Sequence, residues 1–327
     1  MRGKKPPLSG EDRMIARYFA PLAKHPGALG LRDDAARFAP APGHELVLTA
    51  DAVIGGVHFL PDDPPDLIAR KALRVNLSDL AAKGARPAGF LLSLALPRAL
   101  GASWLARFSR GLGQDVKEFS CPLLGGDSVR TPGPLAIAIT AIGTVPHGGM
   151  VRRRGARSGD AVMVSGTIGD AALGLQLCLG DKRARSWRLP KAAQNHLVGR
   201  YRLPRPRVAL AQLIRRHASA AMDVSDGLAG DLAKLCRESG VSAAIDVAQV
   251  PLSAAARRVK DRALETILTG GDDYEILFTA RPDRVSAFRK AGVPVTVIGT
   301  VVAGDAPPAF VLDGRRLIFG SPAFSHF

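Results

Sequence analysis

Residues 66–84 read DLIARKALRVNLSDLAAKG, and the pattern within them decides the interpretation of the chain. Apolar positions recur there in steps of three and four, the spacing of one face of an α-helix. The positions on this face are Ile68, Ala72, Val75, Asp79 and Ala82. Gly84 stands where a helix commonly ends in a left-handed glycine. The stretch therefore predicts a helix of about five turns.

Segments typical of strands lie on both sides of this helix. Residues 46–49 form a short apolar run that we expect to be a strand ending at Asp51. Residues 90–96 and 135–143 predict buried strands, separated by a helical stretch around 104–119 and a turn at 124–127. Because helices and strands mix without a clean βαβ repeat, the fold class predicted is α+β.

A second series of elements follows a segment rich in Gly and Arg at 146–160. The length of 327 residues predicts about two domains. We place them at 1–147 and 148–327. The second series comprises a strand at 161–165, a helix at 170–179, a strand–turn–helix at 220–237, and strands at 275–279 and 293–302.

The composition excludes several protein classes. Apolar residues make up 46% and charged residues 23%, which excludes disorder and collagen. No apolar run approaches the roughly 20 residues that span a bilayer, so we expect no membrane association. Pro6 and Pro7 follow the basic N-terminus where a signal peptide would be apolar. The three cysteines form no CxxC pair. We therefore expect a cytoplasmic protein with reduced thiols.

The formal net charge of +16 raises the question of an anionic partner. Nucleic acid is one interpretation, but aromatic residues make up only 5%, no nucleic-acid motif is present, and the basic clusters are scattered along the chain. We favour a solvated basic surface that also attracts anionic small molecules, and we expect no nucleic-acid partner.

Nine aspartates stand in surroundings of Gly, Ser and Ala. They are Asp33, Asp34, Asp51, Asp79, Asp127, Asp223, Asp226, Asp272 and Asp273. Asp79 lies on the apolar face of its helix, where a carboxylate needs a partner or a metal ion. Carboxylates that cluster repel one another, and oxygen ligands of this kind select Mg²⁺ or Mn²⁺. The set therefore predicts a site for hard cations, which would leave positions open for phosphate oxygens.

Structural roles remain as alternatives for single members of this set. Asp34 and Asp226 are alternatively helix N-caps, and the GGD and GGDD segments are alternatively turns. Asp51 would then bind loop amides, and Asp79 would pair with an arginine. Together, these roles would require several unrelated explanations for acids that share one local chemistry.

Common nucleotide and hydrolase motifs are missing from the sequence. It contains no GxxxxGK[ST] loop, no GxGxxG after a strand, no HRD or DFG set and no GxSxG. Gly125 and Gly126, next to Asp127, are instead candidates for a small anion nest. Ser225, next to Asp226 before a helix, is a second candidate phosphate contact.

The ordered motifs resemble those of the thiamine-monophosphate kinase family, in the superfamily of aminoimidazole ribonucleotide synthetase. They span nearly the whole chain and read GEDRMIARYF, LRDDAA, TADAVIGGVHF, KALRVNLSDLAAKGARP, LLSLALP, LLGGDSVR, RRRGARSGD, VSGTIGDAALGL, RPRVAL, AMDVSDGLAGDL, GGDDYEILFT and FSHF. The resemblance implies a two-domain synthetase-like fold with mixed sheets packed with helices in each domain. It further implies an N-terminal domain that binds ATP and Mg²⁺ and forms a homodimer, and a C-terminal domain that completes the active site.

The resemblance also implies a set of site residues. The implied Mg²⁺ ligands are Asp34, Thr49, Asp51, Asp79, Asp127, Asp223 and Asp226. The implied nucleotide contacts are Gly126, Asp127, Arg153 and Ser225, and the implied thiamine-phosphate contacts are His58, Asp272 and Phe324. Within these sets, the resemblance gives catalytic roles to Asp51, Asp79, Asp223 and Arg153.

The chain departs from the family pattern at several positions. Arg32 stands where Gly is common, Ala50 where Thr is common and Lys83 where Met is usual. Asp272 replaces a Glu and Phe324 a Trp or Tyr of other members. Arg32 and Lys83 bring positive charge toward the acidic site, while Ala50 still offers its backbone carbonyl.

The implied activity is transfer of the γ-phosphate of ATP to thiamine monophosphate, giving thiamine diphosphate and ADP. The acceptor is a phosphate monoester whose second pKa is about 6, so its oxygen is largely anionic near neutral pH. No general base is then needed, and catalysis consists of charge neutralisation and in-line positioning. Arg153 competes with Arg152 and Arg154 for the cationic role, and His58 is either a phosphate donor or a structural histidine.

Two other functions remain open at this level. One is a different ATP-using enzyme of the same superfamily. The other is a non-enzymatic protein that binds anions or nucleic acid through its excess positive charge.

Overall fold

The computed structural model describes residues 9–321 and 323, and these divide into two compact units. One unit extends to Asn76 and continues through Pro87–Thr144. The other contains Leu77–Arg86 and the chain from Val145 onward. The sequence-based boundary between residues 147 and 148 stays a prediction, and it does not anticipate that Leu77–Arg86 groups with later residues.

The elements of the N-terminal half form a mixed sheet with helices. They are α1 (Gly10–Met14), a π-helical turn (Ile15–Phe19), 3₁₀ turns (Ala20–Leu22 and Pro26–Leu31), β1 (His44–Ile54), α2 (Pro65–Ala82), β2 (Arg86–Pro97), α3 (Ala102–Glu118), β3 (Leu123–Thr131) and β4 (Ala136–Pro146). Within the described residues the strands form a four-stranded sheet in the order β1-β4-β2-β3. Strands β2 and β3 pair in parallel.

The helix predicted for residues 66–84 is confirmed and corresponds to α2. The last turn is followed by Gly84 at φ +71°, in the left-handed region expected of a terminating glycine. The strand predicted at 46–49 is longer, because β1 continues through Asp51 to Ile54. The prediction that this strand ends at Asp51 is therefore wrong.

The turn predicted at 124–127 is also wrong, since these residues lie within β3. The parallel ladder with β2 supplies hydrogen bonds that override the turn preference of the Gly-Gly pair. Gly126 packs so closely on β2 that a Cβ would lie 1.9 Å from the carbonyl oxygen of Leu92. Glycine is required there for strand contact rather than for a turn.

A buried ion-pair cluster joins α2 to α3. Asp115 is fully buried and accepts hydrogen bonds from Arg70 Nε at 2.8 Å and from Arg74 Nε at 2.6 Å. Arg74 also donates from Nη2 to Asp115 at 2.9 Å and to Glu118 at 2.8 Å. These contacts attach the first part of α2 firmly to α3.

The C-terminal half forms a larger mixed sheet covered by helices. Its strands are β5 (Ala161–Ser165), β6 (Ala218–Asp223), β7 (Ser242–Asp246), β8 (Ile276–Ala280), β9 (Val295–Val302), β10 (Ala309–Leu312) and β11 (Arg315–Arg316). Its helices are α4 (Asp170–Cys178), α5 (Lys182–Ser186), α6 (Lys191–Arg202), α7 (Ala211–His217), α8 (Leu228–Ser239), α9 (Ala254–Arg257) and α10 (Lys260–Thr269), with 3₁₀ turns at Val208–Leu210, Val247–Gln249 and Pro282–Lys290.

The described strands of this half follow the order β11-β10-β7-β9-β5-β8-β6. Strands β7 and β10 pair in parallel, whereas β5 pairs antiparallel with both β8 and β9. All five residues of β5 are buried, and alternate residues enter two different apolar clusters. Both faces of the sheet are therefore covered.

The predicted strand 161–165 is confirmed as β5, and the strands and helices predicted at 170–179, 220–237, 275–279 and 293–302 are present with small shifts of their ends. The sequence interpretation did not identify β7, β10 or α6. The mixed sheets packed with helices confirm the α+β class. Among the described residues, no helix combines the length and hydropathy that a membrane span requires.

Candidate active site

A cavity of about 550 Å³ in the first unit gathers several of the predicted residues. Its wall contains Asp34, Gly126 and Asp127, together with Asp33 and Glu11. Apolar side chains, including Phe19, Phe38 and Ile15, line the remainder. The lining thus combines carboxylates and glycine backbone with apolar surface.

Local hydrogen bonds fix the two aspartate segments of this cavity. The Asp34 amide donates to Asp33 Oδ1 at 2.9 Å, and the Ser128 amide donates to Asp127 Oδ1 at 2.8 Å. No helix begins at Asp34 in the described chain, so its alternative role as an N-cap is wrong. The extended backbone at 125–127 places Gly126 and Asp127 on β3, next to β2.

Thr49 and Asp51 lie on the same side of β1, because side chains two residues apart share a face. The Asp51 amide donates to Asn76 Oδ1 at 3.1 Å. Asn76 is fully buried in α2, and its Nδ2 donates to the Ala72 carbonyl at 3.0 Å. Asn76 therefore fixes the backbone of Asp51. Sequence reasoning missed it, although a polar residue in a buried helix stretch is a usable signal.

The loop after β1 holds the ring of His58 through a main-chain hydrogen bond. His58 Nδ1 accepts a hydrogen bond from the Ile54 amide at 3.1 Å. Nδ1 therefore carries no proton in this geometry, and the proton of a neutral ring lies on Nε2, which is then a donor. Lys71, only 2% exposed, donates from Nζ to the His58 carbonyl at 2.8 Å and anchors the loop to α2.

In the second unit, the end of α2 brings Asp79 and Lys83 near Asp223 and Arg153. Lys83 Nζ donates to the Ala221 carbonyl at 2.8 Å, two residues before Asp223 on β6. Burial, followed by the charge of Arg153, lowers the pKa of Lys83 to about 8, although Asp223 and Asp79 act in the opposite direction. The charges of Arg153, Asp223 and Asp79 therefore all act on the ammonium group of Lys83.

Main-chain hydrogen bonds fix the same group of segments. The Val151 amide donates to the Lys83 carbonyl at 3.2 Å, and the Ala221 amide donates to the Arg152 carbonyl at 2.9 Å. The segment carrying Arg153 is thus attached both to the end of α2 and to β6.

Ser225 and Asp226 lie in the connection between β6 and α8. The buried carboxylate of Asp231 accepts from the amides of Ser225 at 3.0 Å and Asp226 at 2.9 Å. Lys234 donates to both Asp226 and Asp231. The N-cap position of α8 is Gly227, so the alternative role of Asp226 as an N-cap is wrong.

Asp272 lies next to this connection. Its amide donates to the Ser225 carbonyl at 2.9 Å, and the Tyr274 amide donates to the Val224 carbonyl at 2.8 Å. The GGDDYE segment is thus an irregular loop held along the β6–α8 connection rather than a simple turn. Phe324, the third predicted thiamine-phosphate contact, lies outside the described residues.

The donor set suits a hard cation, since the predicted ligands offer carboxylate and hydroxyl oxygens. Among the described residues, however, no three or more His, Cys, Asp or Glu side chains are gathered closely enough to form a metal site. The ligand assignments from Asp34 to Asp226 therefore stay predictions.

Two family comparisons match consecutive parts of the chain. Residues 32–145 match the AIR synthase related protein, N-terminal domain. Residues 157–311 match the AIR synthase related protein, C-terminal domain.

Curated relatives share much of the sequence. The thiamine-monophosphate kinase of Caulobacter vibrioides is 43% identical over 90% of this chain and 85% of its own length. The thiamine-monophosphate kinase of Escherichia coli K12 is 38% identical over 97% of this chain and 98% of its own length.

Solved structures show the same relation. Thiamine-monophosphate kinase from Stenotrophomonas maltophilia superposes with a TM-score of 0.81 at 39% identity, covering 94% of this chain and 96% of the other. AaThiL complexed with AMPPCP and TMP superposes with a TM-score of 0.77 at 33% identity, covering 90% and 91%. The chain therefore belongs to the thiamine-monophosphate kinase family of AIR synthase related proteins.

Proposed function

We propose that this protein phosphorylates thiamine monophosphate with ATP, giving thiamine diphosphate and ADP in thiamine diphosphate biosynthesis. The proposal is carried by similarity over nearly the whole length: 97% of this chain aligns with 98% of the Escherichia coli enzyme named for that activity. The related AaThiL structure contains AMPPCP and TMP together.

The reaction is a direct in-line transfer. A phosphate oxygen of thiamine monophosphate forms a bond to the γ-phosphorus of ATP, while the bond from that phosphorus to the β,γ-bridging oxygen breaks and ADP leaves. The attacking oxygen is already largely anionic near neutral pH, since the second pKa of a phosphate monoester is about 6. The barrier lies in bringing two polyanions together, which positioning and neutralising charge lower.

We assign Mg²⁺ binding to the carboxylates and hydroxyl that the sequence predicts. These are Asp34, Thr49, Asp51, Asp79, Asp127, Asp223 and Asp226. Held by these side chains, Mg²⁺ would supply positive charge to offset the negative charge of the phosphates. The chemistry of the donors supports this assignment, as do the carboxylates of Asp34 and Asp127 in one cavity.

We assign nucleotide contacts to Gly126, Asp127, Arg153 and Ser225. The cavity beside β3 offers glycine amides for phosphate and apolar side chains for a base. Arg153 is favoured over its neighbours because its charge acts directly on Lys83, next to Asp223 and Asp79.

We assign acceptor contacts to His58, Asp272 and Phe324. The donor at His58 Nε2 supports contact with a phosphate oxygen. The position of Asp272 against Ser225 supports a role beside the transferred group, with the carboxylate directed to the cationic thiamine part of the substrate.

We further propose a cytoplasmic homodimer formed through the first unit. The outward residues of β1 include Leu46 and Leu48, which are 40% and 62% exposed, and Val129 on β3 is 50% exposed. Exposed apolar strand residues of this kind support a protein interface. The thiols of all three cysteines lie outside disulfides, which supports a reducing compartment.

The test is product analysis with purified protein, Mg²⁺, ATP and one acceptor at a time. We expect thiamine diphosphate only when thiamine monophosphate is the acceptor, and no product with thiamine or without protein. Asp223→Asn should abolish turnover and leave folding intact, whereas Asp261→Asn, an exposed carboxylate on α10, should leave turnover unchanged. Absence of product from the unmodified chain would contradict the proposal.

A further inference from the structure

The loop formed by residues 270–275 contains two unusual backbone conformations. Asp272 has φ +73° and Tyr274 has φ +50°. Left-handed conformations are uncommon for residues other than glycine, and for a bulky residue such as Tyr274 they are outliers. Such conformations persist only where the surrounding structure holds them.

The buried carboxylate of Glu275 provides such a hold. Glu275 is fully buried and accepts from Arg200 Nη2 at 3.0 Å, from Arg207 Nε at 2.6 Å and from Ser165 Oγ at 2.6 Å. Arg200 Nη2 also donates to the Asp273 carbonyl at 3.0 Å. The same guanidinium thus binds the chain on both sides of Tyr274. We name the group of Arg200, Glu275 and Arg207 the arginine clamp.

The loop also contains a second buried acid. Asp273 is fully buried, and its carboxylate accepts from the amides of Gly169 at 2.6 Å and Ala171 at 3.2 Å, at the start of α4. Burial raises the pKa of Asp273 well above its ordinary range. Among the described residues, Arg200 Nη1 is buried without a hydrogen-bond partner.

Several unfavourable features therefore coincide at one short loop. They are the left-handed Asp272 and Tyr274, the buried acid Asp273 and the unpaired donor of Arg200. Natural proteins violate ordinary rules of stability mainly at functional or strained sites. The contacts of Glu275, Asp273 and Arg200 all act on the backbone around Asp272.

We propose that the arginine clamp is a positioning device that holds Asp272 for the acceptor phosphate compound and so determines affinity for that substrate. The inference rests on the proposed function, in which Asp272 contacts thiamine monophosphate. The clamp acts through the loop and touches no substrate itself.

Ser225, the proposed nucleotide contact next to this loop, is held in place by residues outside the clamp. The Ser225 amide is held by Asp231, which is paired with Lys234, and neither belongs to the clamp. Weakening the clamp should therefore displace Asp272 more than Ser225. Loss of the clamp is thus expected to weaken binding of the acceptor and to leave binding of ATP unchanged.

The first test is Arg207→Gln, which removes the hydrogen bonds to Glu275 from a side chain that is still 17% exposed. We expect the KM for thiamine monophosphate to rise roughly tenfold or more, since a misplacement of about 1 Å can cost on the order of 100-fold. The KM for ATP should stay within about twofold. Arg207→Lys should give an intermediate rise, because one ammonium replaces a paired fork of donors. Arg205→Gln, an exposed neighbour, is the matched control and should change neither value.

The second test is a double-mutant cycle with Asp272→Ala. If the clamp acts through Asp272, Arg207→Gln should add little to the KM for thiamine monophosphate once that carboxylate is gone. Equal effects in both backgrounds, an equal rise in both KM values, or no rise at all would overturn the proposal. Should Arg207→Gln lose its cooperative thermal transition, Arg207→Lys enters the same cycle with the same criteria. An inactive unmodified chain would instead overturn the proposed function.

Discussion

Two buried ion-pair clusters, one in each unit, have nearly the same composition but different surroundings. Asp115 and Glu275 are both fully buried, and each binds one arginine that is 5% exposed and one that is 17% exposed. Asp115 and its arginines lie on the regular helices α3 and α2. Glu275 instead follows a loop with left-handed residues.

The difference indicates what each cluster contributes. On regular helices, a buried ion pair joins elements that are already in favourable conformations, so its loss should appear as lost stability. Beside the 270–275 loop, the pair holds a conformation that the backbone does not favour. Its loss should therefore appear first as lost substrate affinity.

The largest effect on stability is expected from Asp115→Ala, which removes the buried carboxylate paired with Arg74 and leaves the contact with the half-exposed Glu118. We expect the free energy of unfolding in urea to fall by about 3–5 kcal/mol. The KM for thiamine monophosphate of the remaining folded protein should be unchanged. A loss below about 1 kcal/mol would show that the comparison between the clusters is wrong.

A contrasting result is expected from Asp272→Gly. Glycine adopts the left-handed conformation without strain, so the free energy of unfolding should change by less than about 1 kcal/mol. The KM for thiamine monophosphate should nevertheless rise at least about tenfold, because a missing charge-assisted contact costs on the order of 1.5–3 kcal/mol. Denaturation and steady-state kinetics on one preparation check both. A stability loss comparable to that of Asp115→Ala would remove the distinction between the clusters.

Lys83→Met removes a positive charge together with the hydrogen bond from Lys83 Nζ to the Ala221 carbonyl. Removing a cation that acts on Asp79 and Asp223 should tighten divalent-ion binding about three- to tenfold, since nearby charges interact by roughly 1 kcal/mol or more at an effective dielectric near 20. Titration of Mn²⁺ into nucleotide-free protein measures this affinity at pH 7. Lys83→Arg keeps the charge and should bind Mn²⁺ like the unmodified protein; equal affinity in all three would argue against a metal ion at these carboxylates.

The smallest effect is expected in the reactivity of the cysteine thiols, two of which are buried. Burial raises the pKa of Cys121 to about 12 and that of Cys236 to about 11, whereas Cys178 is only partly buried. At pH 8 the first two should remain protonated and unreactive in the folded protein. A thiol reagent should therefore modify at most one of the three cysteines before unfolding and all three afterwards. Rapid modification of Cys121 or Cys236 in native protein would contradict this burial.

The sequence predicts those parts of the fold whose signals are local. The 3.6-residue period of α2 and its terminating glycine are visible in one stretch, and so is the apolar run of β5. The strand at Gly125 and Gly126 was not predictable, because its hydrogen bonds come from β2, more than thirty residues earlier in the chain.

The same limit applies to the candidate site. Asp34 and Asp127 stand out by composition, and the structure places both in one cavity. Asn76, which fixes Asp51, and Arg200, which lies 75 residues from Glu275, gain their roles only through tertiary contact. A single sequence contains no pairing information at that distance, so it does not show which residues these side chains support, even where a buried polar residue such as Asn76 stands out.

The most direct test of the proposed phosphoryl transfer is a ³¹P NMR time course with unmodified protein, Mg²⁺, ATP and thiamine monophosphate. We expect the thiamine monophosphate signal to be replaced by the paired signals of thiamine diphosphate, with one ADP formed for each and no inorganic phosphate. ADP and inorganic phosphate without thiamine diphosphate, or an unchanged spectrum, would contradict the proposed transfer.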